Sequence, residues 1–256
     1  MAITPKIAAV SYLNTIPFIY GIEHEGNFSA DLLLLNPAEC AKAFADGSVD
    51  IALVPAATVP TLPLCEVVSE YCIGASGEVR TVVVVSDDPI DQIKRIYVDP
   101  HSRTSVQLAG YLAKHRWMID PEWVELSDMA QLSRAEDGDA FLLIGDKVFE
   151  HEDEFDYTFD LAAEWMALTS LPFAFAVWVA RKGTSYETLD ALEQALEFGV
   201  EHLYEAILEY RGDESTVESY QYLSENIDFL FDAQKRKALK KFWDAGIKIE
   251  PKSNPG

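Results

Sequence analysis

Residues 66–86 read EVVSEYCIGASGEVRTVVVVS, and residues 173–181 read FAFAVWVAR. Long β character with polar interruptions sets these two stretches apart from the rest of the chain. If both are strands that leave one lobe and enter another, the chain builds a first lobe, crosses into a second, and returns. A body of that kind places a cleft between its lobes, the usual location of a small-ligand site.

On either side of the first stretch, short β-rich runs alternate with helical patterns. Ile7–Val10, Leu32–Leu35, Ile51–Val54, Thr81–Val85, Ile96–Val98 and Phe141–Ile144 read as buried strands. That alternation predicts an α/β fold with mostly parallel pairing. Pro37–Ala45 and Thr104–Trp117 read as crossover helices, the second with Val106, Ala109, Ala113 and Trp117 on one face. After Arg181 the pattern becomes helical alone. Thr184 and Glu187 suggest a capping box, and an apolar stripe follows through Leu189, Leu192, Leu196, Val200, Leu203 and Ile207. Two more helices are expected over about 217–231 and 233–244, the last with a solvated cationic face of Lys235, Arg236, Lys237, Lys240 and Lys241.

With 49% hydrophobic positions among 256 residues, the chain can bury a substantial core, which excludes disorder as its main state. The longest apolar runs, Leu171–Ala180 and Ile51–Ala57, are too short to span a bilayer. No charged-then-apolar leader precedes Lys6, so a cytoplasmic location is expected. Cys40, Cys65 and Cys72 form no C-x-x-C pair and read as ordinary thiols rather than a disulfide framework or zinc ribbon. A net charge of −23 repels phosphate backbones and anionic headgroups, so neither nucleic acid nor membrane is an expected partner. The same charge means that an anionic ligand needs a local site of N–H groups, hydroxyls or an arginine. No residue pattern assigns an oligomeric state.

Candidate site residues collect at strand ends, where α/β folds line their ligand crevices. The first strand runs into Ser11, Tyr12, Leu13 and Asn14, ahead of Pro17; Asn14 either faces a ligand or caps the following helix. Asp99-Pro100-His101-Ser102-Arg103-Thr104-Ser105 opens the helix at 104–117, and its hydroxyls and free backbone N–H groups outline an anion site. The alternative makes Ser102 or Thr104 an N-cap and Arg103 a surface charge. His101 is a titratable group beside that terminus. Phe141–Asp146 ends in Gly145, which permits close backbone approach, and Asp146, which either contacts ligand or caps the next segment. Thr81 heads the valine run, and Asp50–Ala56 ends a strand at Pro55 and Ala56. No Walker loop, G-x-G-x-x-G, H-E-x-x-H or G-x-S-x-G occurs, and Glu150–Asp156 with His151 lacks a metal-ligand set, so no cofactor or metal is expected.

In order along about 6–181, SYLNTIPF, VDIALVPA, YCIGA-x-GEVRTV, SRTSV, LLIGD, and DLAAEW followed by TSLPFAFAVWVA resemble the landmarks of the menaquinone-pathway chorismate dehydratases. The resemblance implies a two-lobed fold like that of type 2 periplasmic binding proteins. It has two interlobe crossovers and a helical C-terminus, with 1–89 and 173–256 in lobe one and 90–172 in lobe two. A sister enzyme that makes dihydroxynaphthoate from a cyclised futalosine shares that fold; SYLN and SRTS look like the dehydratase branch. The implied reaction is loss of water from chorismate to give 3-[(1-carboxyvinyl)oxy]benzoate, without a cofactor. The implied roles make Asn14 and Thr81 the residues that orient and bond the reacting part of the substrate. Thr104 and Ser105 grip a carboxylate, and Gly145 lines the opposite wall. Tyr12, Ala56, Ser102, Arg103 and Asp146 complete the expected binding set. Amides and hydroxyls dominate this set, so the substrate's own enolpyruvyl carboxylate is the expected base, with Asp146 or His101 as the alternative.

Overall fold

A computed structural model describes residues 4–99, 102–212 and 216–253. Pro100 and His101 lie outside the described residues. The chain opens with β1 (Lys6–Val10), α1 (Ile16–His24), β2 (Asp31–Leu35), α2 (Pro37–Asp46), β3 (Ile51–Pro55) and β4 (Cys65–Ala75). It continues with β5 (Val82–Ser86), β6 (Arg95–Val98), α3 (Arg103–Leu112), β7 (Glu122–Glu125), β8 (Asp139–Ile144), α4 (Lys147–His151), β9 (Tyr157–Asp160) and α5 (Leu161–Thr169). The return comprises β10 (Phe173–Arg181), α6 (Tyr186–Glu201), α7 (Leu203–Arg211), α8 (Thr216–Glu225), β11 (Asp228–Leu230) and α9 (Ala233–Asp244).

Two sheets result, one in the order β11-β4-β10-β3-β1-β2 and one in the order β7-β6-β8-β5-β9. The chain leaves the first sheet after β4 and returns to it as β10, which lies antiparallel between β3 and β4. The crossings therefore fall between β4 and β5, within the stretch 66–86, and between β9 and β10, whereas 173–181 pairs along its whole length inside the first sheet. The expected boundary at residue 89 is corrected by the pairing. Val82–Ser86 hydrogen-bonds to β8 and β9, so the valine run already belongs to the second sheet. Pairing is also less parallel than expected. Parallel ladders are confined to the βαβ units β1-β2, β1-β3, β6-β7 and β6-β8, and the crossover strands pair antiparallel because each re-enters a sheet from its far end.

The structure differs from the helical reading in five places. Ser185, not Thr184, caps α6, its side chain accepting from the Thr188 N–H. The apolar stripe breaks at His202, where one helix ends and the next begins. Residues 228–230 form an edge strand on β4 rather than the end of a helix. Lys235, read as part of the solvated face, is fully buried and paired with Asp228. The helix expected through Trp117 is α-helical only to Leu112 and then widens into a π-helical turn.

Packing against the first sheet fixes the C-terminal helices. Helices α1 and α6 cross with their backbones in contact at Gly21 and Gly199. A Cβ added at Gly199 would lie 1.8 Å from the Pro17 carbonyl oxygen, so only glycine admits this crossing. Cys40 and Cys72 are buried and Cys65 half-buried, all three as free thiols. Among the described residues no helix is long and apolar enough to cross a membrane.

Candidate active site

A cavity of about 600 Å³, open mouth included, lies between the sheets. Tyr12, Asn14 and Thr15 reach it from the turn after β1, Pro55 from the end of β3, and Phe175 and Ala176 from β10. Thr81 enters from the residue preceding β5, Gly145 from the end of β8, and Ser102–Ser105 from the start of α3. Eight of the ten expected site residues thus meet at one cavity: Tyr12, Asn14, Thr81, Ser102, Arg103, Thr104, Ser105 and Gly145.

Asn14 does not cap the following helix. The cap position of α1 is Thr15, without a side-chain cap bond, and Asn14 Oδ1 accepts from the Thr15 hydroxyl at 3.3 Å. Tyr12 packs its ring over Gly145, where φ is +67° and the absent Cβ would stand 3.7 Å from the ring. Burial, then the charges of Asp99 and Asp146, hold the Tyr12 phenol above its ordinary pKa, so it stays protonated and able to donate.

The start of α3 turns polar groups towards the cavity. Ser102 occupies the N-cap position, yet its hydroxyl makes no capping bond. The first-turn N–H groups of Arg103, Thr104 and Ser105 find no acceptor among the described residues. Arg103 lines the same cavity and, among the described residues, forms no ion pair. In a chain of net charge −23, a cation left unpaired at a cavity edge is a local reversal of sign.

Three expected assignments change. The Thr104 hydroxyl donates to the Phe175 carbonyl at 3.0 Å and accepts from the Ala57 N–H at 3.2 Å. Its one proton is therefore committed, and only its main-chain N–H remains to meet a carboxylate. Ala56 is fully buried and outside the cavity lining; its carbonyl accepts from the Trp243 indole at 2.9 Å, and Pro55 lines the wall instead. Asp146 also stands outside the lining. Its carboxylate accepts the Leu13 N–H and faces Arg211 at 3.6 Å. Burial raises its pKa above the ordinary value, against the pull of Arg211. His101 lies outside the described residues.

Two contributors have no counterpart in the sequence reading. Phe175 walls the cavity from β10, and Tyr222 of α8 stands behind it with its hydroxyl 2.7 Å from the Thr81 oxygen. Among the described residues no group of three or more His, Cys, Asp or Glu side chains is placed to hold a metal ion.

The same arrangement recurs in solved structures. Protein AF1704 from Archaeoglobus fulgidus aligns with a TM-score of 0.75 at 17% identity, over 94% of this chain and 96% of that one. The Candida albicans CA3427 gene product, described as having the generic periplasmic binding protein fold, aligns at 0.64 and 14% identity over 96% and 92%. The periplasmic aliphatic sulphonate binding protein SsuA from Escherichia coli aligns at 0.62 and 11% over 96% and 94%. Two sheets joined by paired crossovers around a cavity define the class: a periplasmic-binding-protein-like fold. Within that class, a family model for menaquinone biosynthesis matches residues 5–247, and the chain belongs to that family.

Proposed function

We propose that this protein is a chorismate dehydratase, a cofactor-free lyase that converts chorismate to 3-[(1-carboxyvinyl)oxy]benzoate and water. One observation carries the reading. Among its described lining residues the cavity has an arginine, a helix start, an amide and several hydroxyls, but no carboxylate and no histidine. Such a site holds a doubly negative ring while offering no strong base of its own, which suits a substrate that brings one.

In the reaction the bond from the ether-bearing ring carbon to its hydrogen breaks. Its electron pair becomes a ring double bond, and the neighbouring hydroxyl departs as hydroxide, which takes the abstracted proton back from the enolpyruvyl carboxyl group to become water. The enolpyruvyl carboxylate of chorismate takes the ring proton, and Asn14 and Thr81 hold the enolpyruvyl arm and the departing hydroxyl. Arg103 and the first-turn amides of α3 hold the ring carboxylate by charge-assisted hydrogen bonds. A structural relative named for sulphonate binding supports this use of the fold for small organic anions. The reading carries a cytoplasmic location with it, which cell fractionation tests.

The direct test incubates the protein with chorismate and follows ultraviolet absorbance and product mass. Appearance of the enolpyruvyl benzoate supports the reading. Binding without turnover would make the protein a small-anion receptor, and turnover of cyclic de-hypoxanthine futalosine instead would make it the dihydroxynaphthoate-forming sister enzyme.

A further inference from the structure

Tyr222 stands behind the cavity lining on α8, far along the chain from every motif at the strand ends. It is 2% exposed, its ring is held edge-on to Phe149 with centroids 5.4 Å apart, and its hydroxyl lies 2.7 Å from Thr81 Oγ1. Thr81 itself is 1% exposed. Burial holds the phenol above its ordinary pKa, with Thr81 and then Asn14 pulling the other way. The Asn14 oxygen is met by the Thr15 hydroxyl. The two residues assigned to the substrate therefore converge on one buried phenol.

Proton counting then sets a direction. The buried phenol carries one proton, and among the described residues Thr81 Oγ1 is the acceptor within its reach, whereas Thr81 borders the cavity and can direct its own proton there. Thr81 Oγ1, accepting from Tyr222, keeps its own proton for the cavity. The chain reads Tyr222 O–H to Thr81 and Thr81 O–H to ligand, the first bond polarising the second.

We infer that Tyr222 is a positioning residue that fixes Thr81 as a hydrogen-bond donor towards the cavity, so that the ligand atom facing Thr81 must be an acceptor oxygen. Resting on the dehydratase reading, this makes that atom the departing hydroxyl of chorismate, whose charge grows as its bond to carbon breaks. A threonine locked the other way round, with its proton on Tyr222, offers the leaving group nothing.

The test measures kcat and KM for chorismate in the wild type, Tyr222→Phe, Thr81→Ala and the double variant. Tyr222→Phe is expected to lower kcat about tenfold, with KM moving less than about threefold, since the lost donor strength acts as the bond breaks. In the Thr81→Ala background the same change is expected to have no further effect, because its influence passes through Thr81. Wild-type turnover with Tyr222→Phe unaltered, or losses that multiply in the double variant, overturns the inference and leaves the dehydratase reading standing. A wild type inert towards chorismate overturns the dehydratase reading and this inference with it. Should Tyr222→Phe fail to fold, Tyr222→3-fluorotyrosine serves instead, its more acidic phenol being a stronger donor. A rise in kcat with an unaltered melting temperature supports the direction assigned, and no change or a fall overturns it.

Discussion

The Thr104 hydroxyl joins the first turn of α3 to the other lobe twice, donating to the Phe175 carbonyl of β10 at 3.0 Å and accepting from the Ala57 N–H at 3.2 Å. A residue expected to grip the ligand with its side chain instead ties down the first-turn amides that are proposed to meet the ligand. Thr104→Val keeps the shape, removes both bonds and takes this partner from the buried Phe175 carbonyl and the part-buried Ala57 N–H. It is expected to lower stability by about 2 kcal/mol, the cost of stranding such groups. Thr104→Ser, which keeps the hydroxyl, should lose less than half as much. Chemical denaturation of the three proteins measures this, and equal losses in both variants would remove the hydroxyl from the account.

Asp146 is the protein carboxylate that the sequence reading placed closest to the chemistry, and the structure turns it towards the Leu13 N–H and Arg211. Asp146→Asn is therefore expected to keep kcat within about threefold, whereas loss of a general base costs about 10²–10⁴-fold. Stability gives a second reading. Burial raises the folded-state pKa of Asp146 above its ordinary value of 3.8, so in that window the folded protein binds more protons than the unfolded chain. Its contribution is most favourable below 3.8 and declines as pH rises through the raised value. Asp146→Asn should flatten that part of the stability curve, as thermal unfolding at a series of pH values would show. A kcat lower by orders of magnitude with folding intact would end the substrate-assisted mechanism.

Why the sequence revealed so much of the cavity and so little of its back wall follows from which signals are local. Strand ends announce themselves: a buried run stops, polar residues and a proline or glycine follow, and Asn14, Ser102 and Gly145 stand at such places. The cap at Ser185, by contrast, sits one residue from where the capping-box pattern put it, because backbone geometry and not composition selects the cap. The valine run at 82–85 reads equally well in either sheet, and only its pairing with β8 and β9 decides between them. Tyr222 lies in SYQYLSE, a polar helical segment in which nothing marks one tyrosine as buried and its neighbour Tyr220 as exposed. Lys235 is hidden for the same reason, since its partner Asp228 belongs to a strand that exists only as an addition to β4.

Arg103 is exposed, makes no ion pair among the described residues, and borders the cavity. Because no structural partner depends on it, Arg103→Gln should leave the melting temperature within about 1 °C, as expected for a surface change away from packing. Its loss should fall on the ligand instead. KM for chorismate is expected to rise about tenfold or more, the scale of one charge-assisted bond, with a smaller effect on kcat. The wild-type KM should also rise with ionic strength more steeply than that of the variant, since the charge attracting the dianion is screened by salt. A variant with the wild-type KM and salt dependence would show that the helix start alone holds the carboxylate.

Asp228 and Lys235 form the ion pair under the first sheet, with the ammonium fully buried and the Ser76 hydroxyl also on the carboxylate. Burial pulls the Asp228 pKa upward, but the bonds from Lys235 and Ser76 outweigh it and leave the group below its ordinary value of 3.8. The pair's stabilisation is therefore fully present above 3.8 and is lost as pH falls through the lowered value, where the folded state must take up the proton. Removing one partner is worse than removing both. Asp228→Asn strands the buried ammonium and is expected to cost about 3 kcal/mol or more, whereas Asp228→Asn with Lys235→Met should recover much of that loss. Denaturant unfolding at neutral pH compares the two variants, and acid titration checks that the double variant has lost the acid-side transition. If the single variant is as stable as the double, the ammonium finds water or another acceptor, and the pair is not what anchors α9 to β11.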